Sequence, residues 1–140
     1  MTRHPGVQRV HSLGLTDQPG LGIAGRQQTG FGAMLRFELL GGEAAVEAFL
    51  SGLECFTLAE SLGGVESLIS HPPSMTHPGM EEAARLRAGI GSGLLRVSVA
   101  IEEPADLLPY LSHGPEPPGQ IHPTRHPRGH PSPCARAACP

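Results

Sequence analysis

Two segments in which every second residue is apolar constrain what this 140-residue chain can fold into. Residues 31–39 alternate in this way, and residues 94–101 do so most clearly, with Leu95 and Val97 among the apolar positions. A period of two places successive side chains on opposite faces of a strand. Both segments are therefore predicted to be strands with one buried face.

Helices and shorter strands are expected around these two segments. Apolar residues at three- and four-residue spacing predict an amphipathic helix over about residues 43–53. Two short extended segments are expected within residues 56–69. Further helices are expected at residues 80–88 and 103–111, the last one cut or kinked at Pro109. This order predicts an α+β fold, with a small antiparallel or mixed sheet and helices on one face.

Composition divides the chain into three parts. Residues 1–30 are rich in Gly and Pro and are expected to be an irregular lead-in, with at most a short helix at 21–28. Residues 31–112 are expected to be the folded domain. Residues 113–140 hold eight prolines and four histidines, with Ile121 as their only large apolar residue. Such a tail cannot bury enough surface to offset the entropy of ordering it, so it is expected to be disordered.

Charge and hydropathy exclude several kinds of partner. A formal net charge of −3 gives no reason to expect nucleic acid or an anionic membrane surface. No apolar run approaches the roughly 18 residues that suggest a membrane span. The first residues lack the apolar run of a signal peptide. The three cysteines, Cys55, Cys134 and Cys139, are odd in number and widely spaced, which does not suggest a disulfide framework, so we expect a reducing, cytoplasmic setting.

The absence of one residue type limits the chemistry. All ten basic residues are arginine, and the sequence has no lysine. A Schiff base between a side chain and a carbonyl cofactor needs a lysine amine. No side chain of this chain can therefore form one.

Arg96 is the first candidate site residue, because it lies on the strand face opposite Leu95 and Val97. A solvated outer face would explain an arginine at this position. The functional alternative is a bidentate clamp for a substrate carboxylate. The small neighbours Ser98 and Ala100 on the same face would leave room for a ligand.

Two loops supply further candidates. Residues 61–64 read Ser-Leu-Gly-Gly, which is either an ordinary turn or a place where backbone N–H groups approach an anion. Glu60, just before this turn, is either a surface carboxylate or a group that positions a substrate amine. Thr76 and His77 follow a proline-rich turn, where a histidine is more often a loop residue than a base.

The tail carries histidines and cysteines at spacings of four or five residues, at positions 122, 126, 130, 134 and 139. The spacing superficially suggests metal ligands. However, the tail has neither a Cys-x-x-Cys pair nor an apolar scaffold that would set a tetrahedral geometry. No specific metal site is therefore predicted.

Several segments together resemble one family. They are residues 4–10, 30–38, 56–68 (FTLAESLGGVESL), 75–77 and 89–99. In this order they resemble the C-terminal domain of the Cys/Met-metabolism (transsulfuration) enzymes that depend on pyridoxal phosphate (PLP), such as cystathionine γ-synthase and cystathionine γ-lyase. The resemblance covers roughly residues 3–108.

The resemblance implies a fold, a substrate and site residues. The fold would be that of the C-terminal domain of fold-type I PLP-dependent transferases. Arg96 would grip the α-carboxylate of a sulfur amino-acid substrate, and Ser61 would help to hold it. Glu60 would lie at the substrate site and influence specificity, and Thr76 would lie near the active-site wall. The family further implies PLP as cofactor and a homotetramer.

Departures from the family pattern leave the activity of this chain open. The larger N-terminal domain, which carries the Schiff-base lysine, is absent from these 140 residues, and Ala100 stands where the family usually has glycine. The first hypothesis is a truncated fragment that is inactive alone. The alternative is a non-catalytic module that binds a full-length paralogue or an amino acid.

Overall fold

The computed structural model of the protein describes residues 1–112, so the expectations for the tail lie outside the described residues. Nine helices and strands follow one another in this part of the chain. They are β1 (Val7–His11), α1 (Leu21–Gln27), β2 (Met34–Leu39), α2 (Gly42–Ser51), β3 (Thr57–Leu58), β4 (Leu68–Ser70), α3 (Glu82–Arg87), β5 (Leu94–Ser98) and α4 (Pro104–Ser112).

The strands form one mixed sheet in the order β1-β2-β5-β4-β3. Three of the four pairings are antiparallel, and the short pairing of β3 with β4 is parallel. The two strands with the clearest alternation, β2 and β5, are direct neighbours inside the sheet. The predicted α+β class with a small mixed sheet is thereby confirmed.

One face of the sheet carries the core. Phe37, Leu95 and Val97 are completely buried there, as the period of two predicts. Helices α2 and α4 cover this face with apolar side chains that belong to the same cluster: Val46, Phe49, Leu107 and Leu111. The rings of Phe37 and Phe49 meet edge to face, with their centroids 5.6 Å apart. The opposite side, here called the outer face, is left for the polar residues of β2 and β5.

The first strand corrects the expectation of an irregular lead-in. Val7–His11 pair with β2 and form one edge of the sheet. The register shifts between Val7 and Arg9, which breaks the alternation of apolar residues that would reveal a strand. The short helix expected at residues 21–28 is present as α1.

The last helix corrects part of an expectation, because Pro109, which was expected to cut or kink it, does not cut it. α4 runs through Pro109 and continues to Ser112. A proline removes one backbone hydrogen bond from a helix interior. Leu107 and Leu111 are buried on either side of it, and this packing holds the helix against the sheet.

A close backbone approach at Gly93 generates a prediction about stability. A Cβ at this position would overlap the backbone carbonyl oxygen of Leu39, which cannot move without disturbing β2. Gly93→Ala should therefore lower the free energy of unfolding by about 1–3 kcal/mol, the usual cost of overpacking. Urea unfolding followed by circular dichroism measures this. Gly30→Ala is the matched control, since its Cβ would meet nothing within 4 Å. Equal unfolding midpoints for the two variants would contradict the prediction.

Candidate functional site

Arg96 lies near the centre of the outer face. β5 is flanked by β2 and β4, and the register places Arg36 and Ser70 opposite Arg96 on those two strands. Residues that face each other across antiparallel strands share a face of the sheet. The side chain is half-buried, so it is not an ordinary solvated surface arginine.

The guanidinium of Arg96 is held by the loop that links β3 to β4. Its Nη2 donates hydrogen bonds to the carbonyl oxygens of Glu60 at 2.7 Å and Ser61 at 3.1 Å. These two bonds fix the position of the charged group. Within residues 1–112 no hydrogen bond uses the Nε and Nη1 donors of Arg96, so they are available to a ligand.

The turn at residues 61–64 forms a further hydrogen bond with β5. The N–H of Gly63 donates to the Oγ of Ser98 at 2.9 Å, and Gly63 has a φ of 71°, a conformation that glycine adopts without strain. Ser98 is two residues from Arg96 and therefore shares its face. The structure thus brings Ser61 and Glu60 to Arg96 through their backbone, and their side chains are exposed.

A third set of hydrogen bonds, which the sequence did not suggest, fixes the C-terminal end of this loop. Glu102 accepts hydrogen bonds from the N–H of Ser67 at 2.6 Å and from its Oγ at 2.8 Å. Burial raises the pKa of Glu102. The hydrogen bonds from its own N–H, from Ser67 and from the N–H of Ala100 outweigh this effect, so the pKa lies below its ordinary value. Glu102 therefore secures the loop as a carboxylate.

Thr76 is not brought to Arg96 by any hydrogen bond. Its Oγ1 donates to the carbonyl oxygen of Pro72 at 3.4 Å and lies 2.7 Å from the Nδ1 of His77. Both contacts stay within its own loop. The role that the resemblance implies for Thr76 remains a prediction.

His71 is a buried residue that sequence reasoning missed. Its Nε2 lies 2.9 Å from the carbonyl oxygen of Ser92, and its Nδ1 lies 2.7 Å from the Oγ of Ser74. A carbonyl can only accept, so Nε2 carries a proton in this arrangement. His71 joins the loop after β4 to the turn before β5, and a His-Pro-Pro segment offers no sign of this role.

A cavity of about 540 Å³ opens beside Arg96 on the outer face. It is lined by polar and charged side chains and by apolar ones: His11, Ser12, Leu13, Gln18, Gln28, Phe31, Gly32, Ala33, Met34, Leu35, Arg36 and Arg96. None of the described residues that line it is acidic. Burial lowers the pKa of His11, and the charges of Arg36 and Arg9 lower it further, which outweighs the hydrogen bond with Gln18 and the charge of Glu38 that raise it. The cavity therefore suits an anion.

Residues 1–112 contain no cluster of three or more His, Cys, Asp or Glu residues that could hold a metal ion. The histidines and cysteines of the tail lie outside this range. No helix in the described part of the chain is long and apolar enough to cross a membrane.

Comparison with known proteins identifies the family. Residues 1–114 match the family described as Cys/Met metabolism PLP-dependent enzyme. The chain belongs to this family. Both the predicted resemblance and the predicted fold class are thereby confirmed.

Members of this family share high identity with the chain over part of their length. Cystathionine gamma-synthase of Escherichia coli (strain K12) is 54% identical over 110 residues, which are 79% of this chain and 28% of the relative. Cystathionine gamma-lyase of Bacillus subtilis (strain 168) is 48% identical over 108 residues, or 77% of this chain and 28% of the relative.

A solved structure agrees with these matches. The crystal structure of cystathionine gamma synthase from Xanthomonas oryzae pv. oryzae in complex with cystathionine is 60% identical, with a TM-score of 0.74. The match covers 80% of this chain and 29% of that one. The chain therefore spans less than a third of the length of these family members.

The Glu102 tie generates a prediction about pH. Glu102→Gln should lower the free energy of unfolding by about 1–2 kcal/mol at neutral pH, because hydrogen bonds to a charged group are lost. Since the folded pKa of Glu102 is depressed, its stabilising effect is complete above its ordinary pKa of 4.5 and is lost as the pH falls through the folded value.

Urea unfolding at a series of pH values from 7 to 3 measures this difference between the wild-type chain and the variant. Glu47→Gln is the control, because Glu47 is exposed on α2. A difference that stays constant across the whole series, or that appears equally in the control, would contradict the assignment.

Proposed function

We propose that this chain is the part of a PLP-dependent transsulfuration enzyme, of the cystathionine γ-synthase or γ-lyase type, that binds the substrate carboxylate. The observation that carries the proposal is the immobilised guanidinium of Arg96, with donors left over for a ligand. The family membership supports it. A planar cation held in this way is suited to bidentate recognition of a carboxylate.

Each of the other site residues has a role in this proposal. Arg96 binds the α-carboxylate of a sulfur amino acid through its remaining N–H groups. The exposed hydroxyl of Ser61 donates a further hydrogen bond to the same carboxylate, and the Glu60 carboxylate lies where it can orient the amine. Thr76 forms part of the wall.

The chain itself does not fit the cofactor. PLP enzymes hold the aldehyde of PLP through a lysine amine, and this sequence contains no lysine. The carbanion chemistry that PLP supplies therefore has no anchor on a side chain of these 140 residues. We propose that the chain is a fragment and is inactive alone. A cytoplasmic location and the homotetramer of the family are part of the same proposal.

A second candidate function is supported by apolar residues on the surface. Leu13, Phe31 and Met34 are each about 40% exposed around the cavity, and Ile23 is 54% exposed. Clusters of this kind often mark interaction sites. A non-catalytic module would use them to bind a full-length paralogue. Size-exclusion chromatography of an equimolar mixture with a full-length cystathionine γ-synthase tests this second candidate, and separate elution of the two chains would count against it.

Ligand binding and turnover test the first candidate. The 140-residue chain should bind L-cystathionine in isothermal titration calorimetry, and Arg96→Met should weaken this binding at least about tenfold, since a charge-assisted pair is lost. Added PLP should produce no ammonia or keto acid from cystathionine.

Arg87→Met is the matched control, because it removes the same charge from the exposed side of α3. Circular dichroism verifies that each variant is folded. The proposal fails when the Arg96 variant binds as tightly as the control, or when the unmodified chain turns over its ligand with PLP.

A further inference from the structure

The loop at residues 60–66 has little packing of its own. All of its residues are exposed, including Leu62 at 54% and Val65 at 75%. A segment without buried apolar side chains opens at a low cost in free energy. The position of this loop on the outer face therefore depends on its hydrogen bonds.

Hydrogen bonds from β5 and from Glu102 hold the loop in place. The Nη2 of Arg96 holds its start, and the Oγ of Ser98 holds its middle. Ser67, at the C-terminal end, is 1% exposed and donates two hydrogen bonds to Glu102. The acceptors that fix the guanidinium of Arg96 are backbone carbonyls of this loop. A shift of the loop would therefore also move the acceptors that position the guanidinium.

The hydrogen bonds of Ser67 use both oxygens of a carboxylate as acceptors. The N–H of Ser67 donates to the Oε1 of Glu102, and its hydroxyl donates to the Oε2. The same hydroxyl accepts a hydrogen bond from the N–H of Ala100 at 3.1 Å. A glutamine or a protonated carboxyl at position 102 replaces one acceptor with a donor. Either change would therefore weaken the attachment of Ser67.

Other charged groups lie on the segments that adjoin Glu102, namely Arg96 on β5, Glu66 on the loop, Glu103 beside it and Asp106 in the first turn of α4. Arg96 donates to the loop carbonyls, and Glu66 accepts a hydrogen bond from Thr57 at 3.1 Å. Burial raises the pKa of Glu102, but the hydrogen bonds from backbone N–H groups and from Ser67 outweigh it and lower the pKa below 4.5. Glu102 is therefore a carboxylate at neutral pH.

We propose that Glu102 is a positioning residue for the ligand site, which as a carboxylate holds the loop where Arg96 can bind the ligand, and whose protonation releases the loop and lowers the affinity for the ligand. Glu102 acts through Ser67 and the loop, without touching the ligand. The inference rests on the proposed function and adds the regulation of that site by pH.

Isothermal titration calorimetry with L-cystathionine tests the proposal. Glu102→Gln should weaken binding about three- to fivefold at pH 7, which is less than the loss of Arg96 itself. The advantage of the unmodified chain over this variant should be complete above pH 4.5. Because the folded pKa of Glu102 is depressed, the advantage should be lost as the pH falls through that folded value. Titration of the ligand affects both chains equally and cancels in the comparison.

Glu103→Gln is the matched control, because it removes the same charge from the neighbouring, exposed residue. Its affinity should follow that of the unmodified chain at every pH. Circular dichroism at each pH verifies that the chains are folded, so that unfolding is not mistaken for a loss of affinity.

Hydrogen exchange followed by NMR supplies a readout that needs no ligand. The N–H of Gly63 donates to Ser98 and not to Glu102. It should nevertheless exchange at least about threefold faster in Glu102→Gln than in Glu103→Gln, since the loop is released as a unit. Weakened binding with unchanged exchange at Gly63 would overturn the route through the loop.

The outcomes separate this inference from the proposed function. Unchanged affinity in Glu102→Gln, with dependence on Arg96 retained, would overturn the role of Glu102 alone. Absence of binding to the unmodified chain would overturn the proposed function, and the control of affinity with it.

Discussion

The hydrogen bonds that join the loop at residues 60–67 to β5 and to Glu102 are the interactions on which the rest of the site depends. Different residues of this loop form hydrogen bonds with Arg96, Ser98 and Glu102. These hydrogen bonds attach the loop to β5, a central strand whose inner face is completely buried at Leu95 and Val97, and to the residue Glu102 that follows it. The sheet therefore fixes the positions of the site residues, although most of these residues lie on the loop.

The same arrangement explains why Arg96 is tolerated in an apolar strand. An arginine that is half-buried must replace the water it loses with other acceptors. Two backbone carbonyls supply these acceptors without neutralising the charge. The cation is thus fixed in position and keeps its charge, which is the combination that the proposed carboxylate recognition needs.

Much of the fold could be predicted from the sequence, and the reasons are local. The period of two identified β2 and β5, and the three- and four-residue spacing identified α2. β1 was missed because its bulge breaks that period. Arg96 could be chosen because it interrupts an apolar strand. Arg36 interrupts the apolar strand β2 in the same way, but only the pairing register shows that Arg36 and Arg96 lie opposite each other. Likewise, the contacts of Glu102 and His71 join loops that no local pattern connects.

The pairing of β2 with β5 also has a consequence for how the domain folds. It joins segments that are about sixty residues apart in the chain, so a long loop must close before the pairing can form. Contacts of this kind slow folding, since the entropy of loop closure is lost before the contacts compensate for it. Arg36 and Arg96 consequently become neighbours only once the long-range pairing has formed. A nascent chain would acquire this arrangement of the two arginines late, together with its completed sheet.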